Sequence, residues 1–291
     1  MKKIILPSIF LFGVVWAYAF AYVPYVVEQG PVNVEDPEAS RVFYDALSGS
    51  PRTYRVESEK EFDFSVKIFA PKKTEGVFSG YVSRVDGDLE TFVGALDEKS
   101  ALWEVSYRPL EGDWYRNGPE FTGKVPGGVY KISVFNGENE GRYALSIGSE
   151  QSFSVSDAIR MMVFLPKLKS DFSETSHFSM FLSPFGFVWS VILAVLITLV
   201  WKAIFFVGKK YIAVSEYAKD KFKKNLGRKD RRVRFFTGLA VFVFGVGFWN
   251  WGVMGAGGFF LFEAFFGWSA IYALLEKNTL VNSVSEEKSE A

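Results

Sequence analysis

The chain has 291 residues, and its 33 Lys/Arg balance its 33 Asp/Glu, so the formal net charge is zero and nucleic-acid binding through bulk positive charge is excluded. With no cysteine and a single histidine, His177, it lacks the groups for disulfides, thiol nucleophiles, zinc–thiolate or iron–sulfur centres and multi-histidine metal sites. Hydrophobic residues make up 49%, with 31 Phe and 8 Trp, which excludes wholesale disorder and points towards lipid.

The balanced charge is segregated along the chain. Between Tyr22 and Met180 there are 17 Lys/Arg against 25 Asp/Glu; between Gly208 and Arg234 there are 11 against 3. An acidic region and a short basic loop, separated by an apolar segment, indicate opposite sides of a membrane.

The N-terminus has the pattern of an export signal over 1–21. Lys2 and Lys3 precede an apolar run from Ile4 to Val15, and Ala17-Tyr18-Ala19 and Ala19-Phe20-Ala21 offer small-x-small cleavage sites. An uncleaved anchor is the alternative, because the apolar run continues to about Val23; both deliver residues 22–165 to the non-cytosolic side.

That region reads as an antiparallel β-sandwich with short flanking helices. Glu61–Ala70 alternates, with Phe62, Phe64, Val66 and Ile68 on one face and Asp63, Ser65 and Lys67 on the other. Further short strands are expected at Val77–Val85, Glu90–Leu96, Ala101–Tyr107, Val129–Phe135 and Arg142–Ile147, separated by turn sequences such as Asp86-Gly87 and Asn136-Gly137. Helices are expected at about Asp36–Leu47 and Asp157–Leu168; in the second, Ile159, Met162, Val163 and Leu165 share a face before Pro166 interrupts. Residues 166–183 read as a polar juxtamembrane stalk containing His177, which a linker of this kind leaves solvated.

A transmembrane helix is expected over 184–207. The run Phe185–Val207 carries one charge, Lys202, and about 20 apolar residues suffice to span a bilayer. Residues 208–234 form a basic cytosolic loop. Within it Tyr211, Val214, Ala218, Phe222 and Leu226 fall near helical spacing with Lys219, Lys221, Lys223 and Lys224 between them. Two readings stand for these lysines: contact with anionic lipids at the cytosolic face, or a solvated loop that obeys the positive-inside rule.

From Phe235 to Leu275 the only charge in 41 residues is Glu263, so 235–275 reads as a transmembrane hairpin turning at Trp249-Asn250-Trp251-Gly252, with 276–291 as a cytosolic tail. The fold class is therefore a membrane protein: an exported β-sandwich followed by three transmembrane α-helices, multi-pass in the inner membrane with its C-terminus in the cytosol. Glu263 falls about midway between tip and exit, near the bilayer centre, with no basic residue of the hairpin arms at that depth. It handles ions or protons, or it is an uncharged group hydrogen-bonded between helices packed through Gly255, Gly257 and Gly258.

Asp86, Asp88 and Glu90 are spaced to share a strand face and are the weak candidates for a metal; Asp86-Gly87-Asp88 is also an ordinary hairpin turn, and the rest of a calcium loop is missing. No catalytic frame surrounds any residue, so an enzyme is not expected, although a surface hydrolase using paired carboxylates stays open. No cofactor is implied.

Two segments resemble known families. Gly123 to Gly148, with GGVYKISVFNGENEGRYALSIG, is similar to the last two strands of a bacterial pre-peptidase C-terminal type β-sandwich, which implies an accessory or carbohydrate- or protein-contacting module. Asn225 to Thr279 resembles the YgaP-type inner-membrane hairpin domain. Arg228, Arg231 and Arg232 match its basic leading end, Gly238 its first-helix glycine, and Gly267, Trp268, Tyr272, Leu274, Leu275, Asn278 and Thr279 its closing motif. Ser269 and Ala270 stand where that family usually has Cys-Pro. The resemblance implies membrane topology and self-association, and without cysteine no persulfide chemistry. The expected function is a membrane-anchored binding or scaffolding protein, with a homo-oligomer or an envelope protein as partner; the alternative is an accessory component of ion, proton or solute transport using Glu263.

Overall fold

The computed structural model describes residues 22–27, 30–150, 154–212 and 216–280. The expected signal peptide, part of the expected basic helix and tail residues 281–291 lie outside these. The chain divides into two compact units, the first running to Thr175 and including Ser179–Phe187, the second comprising Ser176–Phe178 and the chain from Val188.

The described residues of the first unit form eleven strands: β1 (Val23–Val26), β2 (Val32–Val34), β3 (Arg41–Ser48), β4 (Arg52–Ser58), β5 (Phe62–Pro71), β6 (Ser79–Asp86), β7 (Leu89–Leu96), β8 (Val105–Arg108), β9 (Asp113–Val125), β10 (Gly128–Phe135) and β11 (Glu140–Ile147). They form two sheets, ordered β1-β3-β11-β5-β9-β8 and β2-β4-β10-β6-β7. Among the described strands the β1–β3 and β2–β4 pairs are parallel and the others antiparallel. The alternation in β5 holds, with Phe62, Phe64, Val66 and Ile68 all buried. They meet Tyr54, Tyr130, Ile132 and Tyr143 in one core. A bulge between Lys67 and Phe69 then breaks the period, so that Phe69 and Ala70 are both buried.

Three expectations for this unit are corrected. The segment expected as a helix at Asp36–Leu47 is strand β3 from Arg41, because Val42, Phe43 and Tyr44 are β-branched or aromatic and the strand pairs with β1 on one side and β11 on the other. The strand expected at Ala101–Tyr107 is confined to Val105–Arg108, since Trp103 adopts a left-handed backbone (φ 52°). Helix α1 (Val155–Lys167) starts in a capping box between Ser154 and Asp157, but Ile159 and Val163 are exposed while Met161 and Leu165 are buried, so a different face packs.

The stalk expected over 166–183 is not a stalk. Pro166 lies within α1, and the chain continues through a π-helical turn at Leu168–Phe172 and a 3₁₀ segment at His177–Leu182. Leu168, Lys169, Phe172, Ser173, Met180 and Ser183 are buried in the first unit. Phe172 packs edge-on against Tyr44 at 5.1 Å, giving a polar-looking segment an apolar anchor.

Helix α2 (Pro184–Ile212) is 29 residues long, so the helix extends beyond the expected Val207 and includes Lys209 and Lys210. Among the described residues it is the helix long and apolar enough to cross a membrane. In the second unit follow α3 (Glu216–Lys221), α4 (Arg228–Gly247), α5 (Trp251–Phe266) and α6 (Ala270–Leu274). The amphipathic helix expected over Tyr211–Leu226 does not reach Leu226: α3 ends at Lys221, and Asn225 and Leu226 turn inward to donate their backbone N–H groups to the Gly267 carbonyl at 3.1 and 3.2 Å. Helices α4 and α5 form an antiparallel hairpin reversing at Phe248–Asn250, where Asn250 caps α5 by accepting from the Val253 N–H at 3.0 Å. Close approach here requires glycine: a Cβ on Gly245 would sit 2.5 Å from the Met254 nitrogen, and one on Gly257 2.5 Å from the Phe242 nitrogen. The second arm ends at Phe266 rather than Leu275, because Gly267 takes a left-handed conformation (φ 69°) and Ser269 caps the separate helix α6.

Candidate functional site

The base of the hairpin concentrates the polar side chains of the second unit. Arg231, one turn into α4, donates from Nε to the Ala264 carbonyl at 2.7 Å and from Nη2 to the Phe265 carbonyl at 3.1 Å, satisfying the last turn of α5. Arg234, three residues on, pairs with the fully buried Glu263. The other Glu263 oxygen accepts the Ala270 N–H at 3.2 Å. The proline usual in the resembled family at this position has no N–H, so the departure at Ala270 supplies a donor to the carboxylate.

Asn225 locks the connection from the other side. Its amide donates to the Ser269 carbonyl at 2.9 Å and its Oδ1 accepts the Ser269 N–H at 2.8 Å. Thr279 accepts the Gly227 N–H at 2.9 Å and donates to Asp230 at 2.6 Å, while the Trp268 indole donates to the Lys221 carbonyl at 2.8 Å. The matched residues Arg231, Gly267, Trp268 and Thr279 thus act together in closing the hairpin.

Glu263 therefore lies three residues from the end of α5, close to the charged base, and not at the middle of an arm. The expectation that no basic residue shares its depth is corrected by Arg234, which the antiparallel hairpin places opposite it across 29 residues of sequence. Of the basic-loop lysines, Lys221 pairs with Glu276 at 2.7 Å and Lys223 with Asp220 at 2.5 Å; Lys219 and Lys224 are exposed. His177, expected to be solvated, stacks on Trp249 with ring centroids 4.7 Å apart.

The metal candidates are not brought together around a common point. Asp86 pairs with Arg84 at 3.1 Å, while Glu90 pairs with Lys131 and accepts from Ser83 at 3.2 Å. Asp88 sits in the turn between β6 and β7. Among the described residues no group of three His, Asp or Glu is placed to hold a metal ion.

A second polar cluster, not foreseen from the sequence, is buried in the first unit. Lys169, fully buried, pairs with Asp113 at 2.7 Å and donates to the Gly112 carbonyl at 3.0 Å. Thr175 donates to the same Asp113 carboxylate at 3.1 Å. Next to it Tyr44 donates to Glu111 at 2.7 Å, and the Arg108 guanidinium lies 4.0 Å from the Phe69 ring centroid. Burial pulls the Lys169 ammonium below the usual lysine range, with Asp113 acting against that pull. Burial, followed by the negative charge of Glu111, holds the hydroxyls of Tyr22, Tyr44 and Tyr115 well above the usual phenol value. The cluster ties the β8–β9 loop to residues 169–175; its signal in the sequence is only that Lys169 interrupts an otherwise apolar helical face. Beside it opens a cleft of about 370 Å³ that includes Lys73, Arg142, Phe172 and Glu174. The Arg142 hydrogen bond holds the Glu174 carboxyl below the usual range.

No curated protein matches the chain. Among solved structures, the Aeromonas hydrophila PliG, a periplasmic lysozyme inhibitor of g-type lysozyme, is 15% identical with a TM-score of 0.28, the match covering 44% of this chain and 98% of that one. The pre-peptidase C-terminal domain of a Bacillus anthracis collagenase is 9% identical with a TM-score of 0.24, covering 44% and 95%. Residues 222–282 match the family described as inner membrane protein YgaP-like, transmembrane domain, and the protein is accordingly membrane-associated.

Proposed function

We propose that the protein is a multi-pass inner-membrane anchor for an extracytoplasmic β-sandwich that binds or scaffolds partners without catalysing a reaction. The observation that carries this reading is helix α2, whose apolar side chains stay exposed along its length, from Phe187 and Val191 through Val195, Leu199 and Ile204 to Val207. A helix of such apolar composition, with these side chains uncovered, is stable in lipid. The hairpin of α4 and α5 adds two further crossings in this reading, with its arginine-rich base in the cytosol, as the 11 Lys/Arg against 3 Asp/Glu between Gly208 and Arg234 favour. Reporters placed after Gly148, at Asn250 and at the C-terminus should then read outside, outside and inside. A cytosolic signal after Gly148 would reverse the scheme.

Binding rather than catalysis is favoured by how the sandwich uses its groups. The buried pairs Lys169–Asp113 and Tyr44–Glu111 bind within the sandwich itself, while strand β7 at a sheet edge exposes Leu89 and Phe92. A glycan and envelope-protein screen with the full chain in detergent tests this. Failure of a Phe92→Ser variant to weaken a captured partner would move the binding face elsewhere on the sandwich.

A further inference from the structure

The corner between β8 and β9 is built onto the root of helix α2. Ser183 donates from its hydroxyl to the Leu110 carbonyl, and Tyr107 donates from its hydroxyl to the Leu182 carbonyl at 3.0 Å. Gly112, in a left-handed conformation (φ 67°), allows the close approach, since a Cβ there would lie 2.8 Å from the Ser179 carbonyl oxygen. Residues 179–187 belong to the same compact unit as these strands, so the corner travels with the first turn of α2. Tyr107 and Trp114 are cross-strand partners with ring centroids 5.2 Å apart. Trp114 is 53% exposed although its neighbour Tyr115 is fully buried, and Leu182 is 68% exposed. The carboxylates of the corner turn the other way: Glu111 accepts from Tyr44 at 2.7 Å, and Asp113 pairs with Lys169 at 2.7 Å.

Helix α2 sets the depth of this face. From Phe187, exposed in its first turn, to Val207 it rises about 30 Å, the thickness of a hydrocarbon core. Leu182, just before the helix, then falls at headgroup level, in a layer roughly 5–8 Å deep, with Tyr107 and Trp114 beside it. We propose that Tyr107, Trp114 and Leu182 form a lipid-contacting foot that seats the β-sandwich on the headgroup layer of the outer leaflet. Indole and phenol rings put an apolar body and a polar edge at that depth, where Trp and Tyr are enriched in membrane proteins. The bilayer that receives α2 reaches this face first, and a protein covering it would have to displace the headgroups around the helix root. Between Tyr22 and Met180 there are 17 Lys/Arg against 25 Asp/Glu, so the contact depends on rings and needs no anionic lipid. It rests on the membrane placement proposed above.

The chain has no cysteine, so single introduced cysteines report position. Full-length Val105→Cys and Lys124→Cys chains, each carrying an NBD fluorophore, are reconstituted in phosphatidylcholine vesicles containing a lipid with a nitroxide on its headgroup. Val105 shares a face of β8 with Tyr107, whereas Lys124 lies at the other end of β9, about 30 Å from Trp114 at about 3.3 Å per residue. The expected result is strong quenching at residue 105 and none at 124. Trp114→Ser and Leu182→Ser, both surface changes, should remove most of the quenching at 105, and Trp114→Tyr should keep it. Quenching unaltered by both serine variants would overturn the foot, as would equal quenching at 105 and 124. Protection of the 105 label from iodide without lipid quenching would mean that a second copy covers the face, and would also overturn it. Alkaline extraction of the same vesicles separates the two readings. A chain kept in the bilayer with an unquenched 105 label overturns the foot alone; a chain released by alkali overturns the membrane placement with it.

Discussion

Replacing Lys169 by Met should destabilise the sandwich more than any surface change. The Lys169 ammonium and the Asp113 carboxylate are 2.7 Å apart and 0% and 5% exposed. At an effective dielectric of about 20, two unit charges at that distance attract by about 6 kcal/mol, against several kcal/mol of desolvation for each. The net value of the pair is therefore small, but removing one member is costly, because the other stays buried without its counter-charge. Lys169→Met leaves Asp113 with the Thr175 hydroxyl and should cost about 3–5 kcal/mol. Asp113→Asn should cost less, because the isolated ammonium can release its proton. Burial already lowers the Lys169 pKa, and loss of the carboxylate lowers it further. A lysine with a depressed folded-state pKa contributes stability that is present above its unfolded value of about 10.4 and lost as pH falls through the folded one. The Asp113→Asn variant should therefore gain stability relative to the parent as pH rises towards the unfolded lysine value of about 10.4. The double variant should recover much of the loss. Urea unfolding of the full chain in detergent, followed by hydrogen exchange of β9 amides, measures all three. A Lys169→Met cost below about 1 kcal/mol, or an Asp113→Asn variant indifferent to pH, would refute the reasoning.

The hairpin base gives a parallel case: Glu263→Gln strips Arg234 of its partner and should weaken the hairpin by about 2–5 kcal/mol, with Arg234→Met/Glu263→Leu restoring much of it, as read by unfolding in mixed micelles. A normal hairpin in Glu263→Gln would show that the pair contributes nothing. Gly257→Val puts a side chain into the Phe242 backbone and should separate the arms at a cost of about 1–3 kcal/mol or more; unchanged unfolding in mixed micelles would contradict it. In alkali, Tyr22, Tyr44, Tyr54 and Tyr115 have hydroxyls raised well above their usual value, mainly by burial. Their stabilising effect is complete below about pH 10, where the unfolded phenols are also protonated, and is lost as pH rises further. Phenolate absorbance from these residues should appear together with loss of the β-sheet circular dichroism, and its appearance in an intact sheet would show that they are open to solvent.

Much of this architecture is legible without coordinates, because it follows from local periodicity. The two-residue alternation from Phe62 to Ile68 specifies a strand with one buried face, the apolar run from Phe185 to Val207 specifies a helix for lipid, and Trp249-Asn250 marks a reversal. Helical spacing misleads at Val42–Tyr44, where a strand between two neighbours is settled by pairing with residues as distant as Leu145. The same holds for residues 166–183, whose polar composition suggests a solvated linker. Their burial depends on Phe172 meeting Tyr44 and on Lys169 meeting Asp113, and neither partner is near in sequence. Glu263 shows the division most directly. Its isolation among 41 apolar residues is a property of the sequence. Its partner is decided by the antiparallel packing of α4 on α5, which brings Arg234 across to it, and by the early end of α5 at Gly267, which places both at the charged base. Charge pairs of this kind act through space at a few ångströms, and only the tertiary fold sets which groups come that close.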